Sequence, residues 1–591
     1  MILPNHIANP DPNIYLSNNY LVIDVETTSL DKGDPNNANN ALLLSVSSGN
    51  SDEFRVEWGS EYEARRTRSA VGSVDFIVAH NAKFELGWLV RCGIDLTKIV
   101  VWDTMIGEYI RAGNRKFPLD LSSCSARYRG LPKTDLVNIL IKGGIDPKDI
   151  PNHWLEKYCI QDVKITKELF LKQRKVMQEE GLLPVMYTRC LFTPVLTDIE
   201  SKGMQLDEGR VYEEYNNVLR EYNGLQTEIQ KFTGGINTNS PKQLAELLYD
   251  RLGFSELKDP RGNAIRTTAN GRKTDAPTIA KLTCRNKRQR EFIRLRSAEA
   301  KLNTKLTNYL NKYKSCCDEN GGLLHASFNQ TITQTHRLSS TGKRFKAQFQ
   351  NFDRTFKRMF KARNKGWKIA EADQAQLEFR TAANHGNDEI ARDAIISGFD
   401  VHSFTRDTIT EAGQSINRQE AKAHTFKPLF GGSSGTDAER AYYEAFRKRY
   451  PGIAAEQNSW IDEVLSTKKL KTITGLKFYW PDTKITRSGW VTNTPAICNY
   501  PIQYFSGAEI VPIGITYLWH RMKAAEMQSI LINTIHDSVI AELKPEEEEK
   551  YVELAELSLV EDVYKYLDTV YNIQFDVPLE IELKISDHWG E

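Results

Sequence analysis

Two short apolar runs in the second half of the chain each end at an aspartate. In the first, Ile369 and Ala370 belong to a run that stops at Asp373, which predicts a short buried strand. Apolar residues then recur at helical spacing up to Ala383, so the strand is predicted to pass into a helix. A carboxylate at the end of a core strand suits a divalent metal, although a helix cap is the ordinary alternative.

The second run is interrupted by a polar tip, His536-Asp537. Apolar positions precede this tip from Ile530 to Ile535 and follow it from Val539 to Leu543. The pattern predicts a hairpin of two mostly buried strands, with His536 and Asp537 at or near the turn. A turn in which the aspartate only hydrogen-bonds the backbone is the structural alternative. A metal site here would require this aspartate and Asp373 to meet in the fold.

A strand-like run near the start of the chain also carries carboxylates. It begins at Tyr20 and contains Asp24 and Glu26. Alternation along a strand puts both side chains on one face, where they can share metal ions. Because two like charges so close repel each other, a cation between them is plausible.

Two further pieces follow this run. Phe76–His80 predicts a strand that passes into a helix carrying Glu85. Tyr158 and Asp162 are four residues apart, so they lie on one face of a predicted helix. A solvated acidic face is the alternative for each piece taken alone.

Length and composition limit the class of protein. A chain of 591 residues predicts roughly three to five domains. With 78 basic and 77 acidic residues, any nucleic-acid surface must be local. The eight cysteines lack paired metal-ligand spacing, which favours free thiols in a reducing compartment. No apolar run reaches the ~18 residues of a membrane span and no signal peptide is evident, so we expect a cytoplasmic protein.

The region from Lys281 to Lys301 is rich in basic residues, including Arg288 and Arg290. It follows a long amphipathic helix that is predicted from Val211 to Phe232. Phosphate contact and a solvated charged face are the two interpretations of such a run.

Taken together, these motifs resemble the DNA polymerase I family (family A polymerases) with a 3′–5′ exonuclease domain of the DEDDy group. The resemblance spans nearly the whole chain. It implies an α/β multidomain fold, with an RNase H-like exonuclease domain followed by a right-hand polymerase. The implied domains are exonuclease 1–185, thumb 186–320, palm 321–385, fingers 386–490 and palm 491–591. Since the chain begins at the exonuclease, we expect a phage-type enzyme that lacks the 5′ nuclease domain, acting in a bacterial or phage-infected cell.

The resemblance also implies the roles of individual residues. Asp373 and Asp537 would hold two Mg²⁺ at the polymerase site; Asp24, Glu26 and Asp162 would hold two more at the exonuclease site, with Mn²⁺ as a substitute. The other exonuclease residues would be Glu85 and Tyr158. The implied nucleotide-binding residues are Arg418, Lys422, Phe426, Phe430, Glu378, Gln376 and His536. The implied DNA-binding residues are Arg337, Gln350, Asn351, Asn499, Gln503, Arg288 and Arg290.

The nucleotide-binding stripe has its own physical support. Arg418, Lys422, Phe426 and Phe430 recur every four residues, which predicts one stripe along a helix. Two cations followed by two aromatics suit a deoxynucleoside triphosphate lying along that stripe. An aromatic stripe is more often core packing, but a core would not bury two unpaired cations. Pro428 is predicted to kink or end this helix near the following glycine pair.

Several positions depart from the family pattern. The family usually has Asp at Glu85, Gly at His336, Tyr at Phe430 and Glu at Ser538. The longer arm of Glu85 shifts its carboxylate by about one methylene, which bears on exonuclease activity. By resemblance Glu378 is the steric gate that excludes a ribose 2′-OH, and Phe430 lacks a hydroxyl that could bond it.

The sequence therefore predicts a template-directed DNA polymerase with 3′–5′ proofreading, which acts in DNA replication. Its expected partners are primer–template DNA and deoxynucleoside triphosphates, with no membrane, and the chain is expected to be a monomer whose accessory proteins the sequence does not identify. The main alternative is a 3′–5′ DNA exonuclease with a weak or inactive polymerase half. A single-subunit RNA polymerase and a non-catalytic DNA-binding scaffold are further alternatives.

Overall fold

The computed structural model describes residues 2–130, 136–259, 261–267, 271–342 and 345–591. Within these ranges no helix combines the length and apolar character that a membrane span needs.

The amino-terminal part is built on one mixed sheet. Its strands are β1 (Tyr20–Thr27), β2 (Leu42–Ser48), β3 (Arg55–Trp58), β4 (Phe76–Ala79) and β5 (Val101–Asp103). Its helices are α1 (Asn5–Ala8), α2 (Arg65–Val71), α3 (Lys83–Arg91), α4 (Thr104–Ala112), α5 (Leu121–Arg127), α6 (Leu136–Lys142) and α7 (Asn152–Glu180). The strands lie in the order β3-β2-β1-β4-β5, with β1 antiparallel to β2 and parallel to β4. This arrangement agrees with the predicted RNase H-like domain.

A buried helix, α8 (Leu183–Lys202), joins this sheet domain to the rest of the molecule. Its side chains are apolar around most of the helix, as expected for a helix covered on all sides. It packs against α3 and α4 of the sheet domain and against the carboxy-terminal part of the chain. The predicted boundary between residues 185 and 186 therefore falls inside one helix.

The next region is mostly helical. It contains β6 (Met204–Leu206), α9 (Glu208–Thr233), α10 (Pro241–Ala245), α11 (Ala276–Ala280), α12 (Lys287–Lys305) and α13 (Asn311–Asn320). The long helix α9 packs along α12 and carries the amphipathic pattern seen in the sequence. Its far end has a small core of its own, formed by residues such as Leu248 and Phe292. This region lies within residues 186–320, for which the thumb remains a prediction.

Short strands and one longer strand follow. They are β7 (Leu323–Ala326), β8 (Phe328–Asn329), β9 (Ser339–Ser340), β10 (Lys346–Ala347), β11 (Phe360–Lys361) and β12 (Lys368–Gln374), after which comes α14 (Leu377–His385). The predicted strand that ends in Asp373 and passes into a helix is thus confirmed.

A second helical region contains α15 (Glu389–Ile396), α16 (Val401–Glu411), α17 (Arg418–Thr425), α18 (Asp437–Arg449) and α19 (Pro451–Thr467), followed by the hairpin of β13 (Lys469–Lys471) and β14 (Lys477–Tyr479). Helix α16 packs against α17 and α18. The predicted boundary between residues 490 and 491 falls inside a tight turn that is paired through Ile485 and Val491.

The chain then returns to complete the central sheet. It forms α20 (Thr494–Tyr504), α21 (Val511–Ala524), β15 (Ile530–Ile535), β16 (Ser538–Leu543), α22 (Glu548–Glu556), α23 (Asp562–Tyr571) and β17 (Ile581–Ser586). The central sheet has the order β15-β16-β12-β17 and every pair in it is antiparallel. The predicted hairpin with His536 and Asp537 between its strands is confirmed.

Candidate functional site

The central sheet brings the two predicted aspartates together. Asp373 on β12 pairs with Ser538 on β16, the residue directly after Asp537. The backbone N–H of Gln374 donates to the carbonyl of Asp537 over 3.1 Å. Both aspartates line one cleft, which Lys357 also borders. Antiparallel pairing of β12 with the hairpin therefore juxtaposes two carboxylates that are distant in the sequence.

Asp373 and Asp537 repel each other electrostatically in this cleft. Burial and then the neighbouring Asp537 raise the pKa of Asp373 to about 7. Burial also raises the pKa of Asp537, against the opposing effect of Arg337 and Arg354. Two carboxylates that repel each other in one cleft fit a divalent cation, and oxygen ligands suit Mg²⁺.

The tip of the hairpin is held by Gln350, one of the predicted DNA-binding residues. Its side chain is buried, and its amide nitrogen donates to the carbonyl of Thr534 over 2.8 Å. Its amide oxygen accepts from the backbone N–H of His536 over 3.1 Å. His536 has a φ of +55°, a left-handed conformation that this contact helps to hold. Gln350 thus braces the hairpin beside Asp537 through both ends of its side-chain amide.

The predicted gate, Glu378, lies in the first turn of α14. Its carboxylate accepts a hydrogen bond from the guanidinium of Arg337, and each side chain is 26% exposed. Arg337, a predicted DNA contact, therefore pairs with this carboxylate while its side chain stays partly exposed. Gln376 is exposed at the start of the same helix with a φ of +49°.

The predicted helical stripe is shorter than expected. Helix α17 ends at Thr425 and Phe426 is its C-cap, while Phe430 lies in the separate 3₁₀ turn Pro428–Phe430. Pro428 has no backbone N–H to donate to the carbonyl of His424, and its ring crowds that carbonyl, so the helix does not continue to the glycine pair. The four side chains therefore do not form one continuous helical stripe.

The charged end of the stripe is open to solvent. Arg418 is exposed and pairs with Asp400 at 3.0 Å. Lys422 is exposed, and in the part of the chain that the structure describes it has no ion pair. Phe426 is half-buried, with its ring 5.9 Å from that of Phe379. Arg418 and Lys422 thus present exposed cations in the two turns before a partly covered aromatic.

The remaining DNA-binding candidates are accessible to different extents. Asn499 and Gln503 are half-buried and lie one turn apart on α20. Asn351 is exposed, as are Arg288 and Arg290 on α12. All five side chains are therefore at least partly accessible to a bound DNA.

A second carboxylate cluster lies on the amino-terminal sheet. Asp24 and Glu26 are the half-buried positions of the otherwise buried end of β1, as strand alternation predicts. Helix α7 supplies Tyr158, which is half-buried, and Asp162, which is buried. Helix α3 supplies Glu85, which is only 4% exposed and has one carboxylate oxygen without a hydrogen-bond partner.

Burial, and next the charge of Asp24, raise the pKa of Glu85 well above its ordinary range. A buried carboxylate with an unpartnered oxygen, facing other carboxylates, fits a site that takes a cation. Glu85 therefore lies close enough to Asp24 for the two charges to interact.

One member of this cluster was missed from the sequence. Cys159 is fully buried, and its thiol donates to a carboxylate oxygen of Asp24 at 3.2 Å. Ligand atoms of Asp24, Glu26 and Cys159 all lie within 4.8 Å of one another. The available signal was its position next to Tyr158 on the same helix, but a lone cysteine gave no reason to choose it.

An open cleft lies between the amino-terminal sheet domain and the segment after α13. Asn81 and Phe84, which precede Glu85, line one side, and Asn329 and Thr331 line the other. The carboxylates of the second cluster are not among its lining residues.

Known proteins share both the sequence pattern and the fold. The DNA polymerase I of Chloroflexus aurantiacus is 26% identical over 543 residues, which cover 87% of this chain and 54% of that protein. The DNA polymerase I of Aquifex aeolicus is 26% identical over 556 residues, covering 87% of this chain and 88% of that protein. The chain spans about half the length of the Chloroflexus relative.

A solved structure, described as the POL domain of Pol1 from M. smegmatis in complex with DNA primer-template and dNTP, superposes with a TM-score of 0.75. The match covers 100% of this chain and 99% of that one at 20% identity, which shows a shared fold. The sequence model of DNA polymerase family A matches residues 210–591, well over half of the chain and including both palm aspartates. This protein therefore belongs to DNA polymerase family A.

Proposed function

We propose that the protein is a template-directed DNA polymerase that extends a primer 3′-OH with deoxynucleotides. The observation that carries this proposal is the pairing of Asp373 and Asp537 in one cleft at the end of the antiparallel sheet. Family membership supports it, as do relatives named DNA polymerase I and a structural neighbour bound to primer-template and dNTP.

In the proposed reaction the primer 3′ oxygen attacks the α-phosphorus of the triphosphate, and pyrophosphate leaves. Asp373 and Asp537 would hold two Mg²⁺, which when bound lower the pKa of the attacking hydroxyl and neutralise charge on the phosphates. The protein itself supplies a rigid sheet edge for the two carboxylates and a hairpin tip braced by Gln350. Rigid support of this kind keeps the reacting groups in line.

The incoming nucleotide would lie along α17. The exposed cations Arg418 and Lys422 suit its phosphates, and Phe426 offers an apolar surface to its sugar and base. Glu378 at the start of α14 would stand against the 2′ position of the sugar and exclude a ribose hydroxyl. His536, Gln376 and Phe430 are further proposed contacts on this side of the cleft. Closure of α17 over a correct base pair would supply induced-fit selection.

The DNA would run between the helical region of α9 and α12 and the central sheet. Exposed basic residues on α12, Arg288 and Arg290 among them, suit the phosphate backbone. The amides of Asn351, Asn499 and Gln503 can donate to acceptors that all base pairs present in the minor groove.

We further propose 3′–5′ exonuclease activity at the second cluster. Asp24, Glu26 and Asp162 would hold the metals, with the buried Glu85 beside them, and Tyr158 would orient the attacking water. The unpartnered oxygen of Glu85 supports a cation-binding role for this cluster. The cleft that joins the two halves offers a path for a frayed primer end.

Primer extension separates the two activities. An Asp24→Ala protein should lose degradation of single-stranded DNA and keep extension, whereas Asp537→Asn should lose extension and keep degradation. Glu582→Gln, a change of an exposed carboxylate in the same cleft as Asp537, is the matched control and should retain both. If Asp24→Ala protein cannot extend a primer in Mg²⁺, the polymerase proposal fails and the exonuclease alternative replaces it.

A further inference from the structure

The guanidinium of Arg337 is the single partner that the described residues offer to the carboxylate of Glu378. Both side chains are about three-quarters buried, so the pair is shielded from solvent more than a surface ion pair. The orientation of Glu378 therefore depends on an arginine from a different segment of the chain.

Arg337 is itself held in place by close packing. Its side chain crosses Gly507, in the π-helical turn Phe505–Ile510 between α20 and α21. A Cβ at residue 507 would lie 2.7 Å from the Nε and 2.9 Å from the Cγ of Arg337. Only glycine leaves room for the arginine at this point.

The amino-terminal domain also braces the segment that carries Arg337. The preceding residue, His336, is buried with a φ of +62°, and its Nε2 donates to the carbonyl of Gly113 over 3.0 Å. Its ring lies 4.1 Å from that of Tyr109, whose hydroxyl donates to the carbonyl of Thr333. Gln334 adds a hydrogen bond to the carbonyl of Asn114 over 3.0 Å. Helix α4 and the loop after it therefore anchor the backbone on the amino-terminal side of the arginine.

We propose that Arg337 is a positioning residue that sets sugar discrimination by holding the carboxylate of Glu378 in one orientation. A glutamate has three rotatable bonds, so without a partner its carboxylate would leave the 2′ position unguarded part of the time. A charge-assisted hydrogen bond from a braced arginine restricts it to one rotamer. This role rests on the proposed function, in which Glu378 faces the sugar of the incoming nucleotide.

The alternative is that Arg337 acts only by contacting the primer. The two roles differ in what they change. A primer contact affects deoxy- and ribonucleotides equally, because both share the same primer end. A gate contact affects the ratio between them.

The test measures single-nucleotide extension with dNTP and with the matching rNTP, in an Asp24→Ala background that prevents primer degradation. The variants are Arg337→Met, Glu378→Gln and their combination. Arg337→Met keeps most of the side-chain length and removes the charge. We expect it to lower the ratio of kcat/KM for dNTP over rNTP at least about tenfold. The double variant should have the same ratio as Glu378→Gln alone, because the arginine acts through the glutamate.

Arg354→Met is the matched control. Arg354 lies near Asp537 in the cleft that Asp373 and Asp537 line, but among the described residues it is not a partner of Glu378. It should change the use of both nucleotides by one factor and leave their ratio unaltered. Gly507→Ala displaces Arg337 without removing its charge and should lower the ratio as Arg337→Met does. This variant decides the question if Arg337→Met is inactive.

An unchanged ratio in both Arg337→Met and Gly507→Ala would overturn the proposal in favour of a primer contact. The proposal would also be overturned if the double variant lowered the dNTP/rNTP ratio by the product of the two single-variant factors. Failure of the Asp24→Ala parent to extend with dNTP is a separate outcome, which refutes the polymerase function itself.

Discussion

Replacing Asp373 with asparagine should stabilise the metal-free protein at pH 8. In the folded protein, burial and the charge of Asp537 raise the pKa of Asp373 from its ordinary value of 3.8 to about 7. Below about pH 4 this carboxyl is protonated in both the folded and the unfolded chain. As the pH rises from about 4 to about 7, it ionises in the unfolded chain first, so the folded protein loses stability through this window. Asparagine does not titrate and avoids that loss.

The size of the effect follows from the pKa difference. The interval from 3.8 to about 7 sets a ceiling of about 4 kcal/mol, at 1.36 kcal/mol per pH unit. Asp373 is only half-buried, so solvent screens part of the repulsion, and we take half of the ceiling, about 2 kcal/mol. For a chain of 591 residues that unfolds as one unit, this amounts to a rise in Tm of only about 1–2 °C.

Amide hydrogen exchange is the more sensitive assay, because it reports opening of the central sheet itself. In EDTA at pH 8, amides of β12 and β16 in the Asp373→Asn protein should exchange about 30-fold more slowly than in the wild type. At pH 5 the difference should shrink, since the wild-type carboxyl is then protonated in the folded state. Added Mg²⁺ should slow exchange in the wild type more than in the variant.

Glu582→Gln serves as the comparison, because Glu582 is an exposed carboxylate opposite Asp373 whose charge raises the pKa of Asp373 less than burial and Asp537 do. Its effect should stay within about 0.5 kcal/mol. Faster exchange of β12 in Asp373→Asn than in the wild type at pH 8, or a difference that does not change with pH, would refute the assignment of repulsion to this pair.

Three other substitutions test separate parts of the site. Phe426→Tyr adds a hydroxyl beside the expected 3′ position and should increase the use of dideoxynucleotides; equal use of deoxy- and dideoxynucleotides by the unmutated enzyme would contradict the reasoning. Cys159→Ala removes the thiol donor to Asp24 and should slow degradation of single-stranded DNA by about tenfold without affecting extension, while Cys159→Ser keeps a donor and most of the rate. Gln350→Leu removes both hydrogen bonds to the hairpin and should cost about 2 kcal/mol, seen as faster exchange at Thr534 and His536; unchanged exchange there would show that the hairpin needs no brace.

The pattern of apolar and polar residues was sufficient to predict the strands and the hairpin that carry the candidate site residues. The apolar run before Asp373, the hairpin around Asp537 and the alternation of Asp24 and Glu26 each form the predicted structure. These predictions are correct because the alternation of side chains along a strand and the polar residues of a turn are properties of neighbouring residues in the sequence. The end of α17 is also a local effect of proline, but the residue at which it stops was predicted too far along the chain.

The residue pattern alone established the order of the elements, the α/β character and the positions at which carboxylates end strands. Which of these groups meet depends on how the elements pack in three dimensions. The commitment of Gln350 to the hairpin, the pairing of Arg337 with Glu378 and the thiol of Cys159 beside Asp24 all join residues distant in the chain. A side chain's polarity shows that it needs a partner, whereas which partner it finds depends on the packing of whole elements.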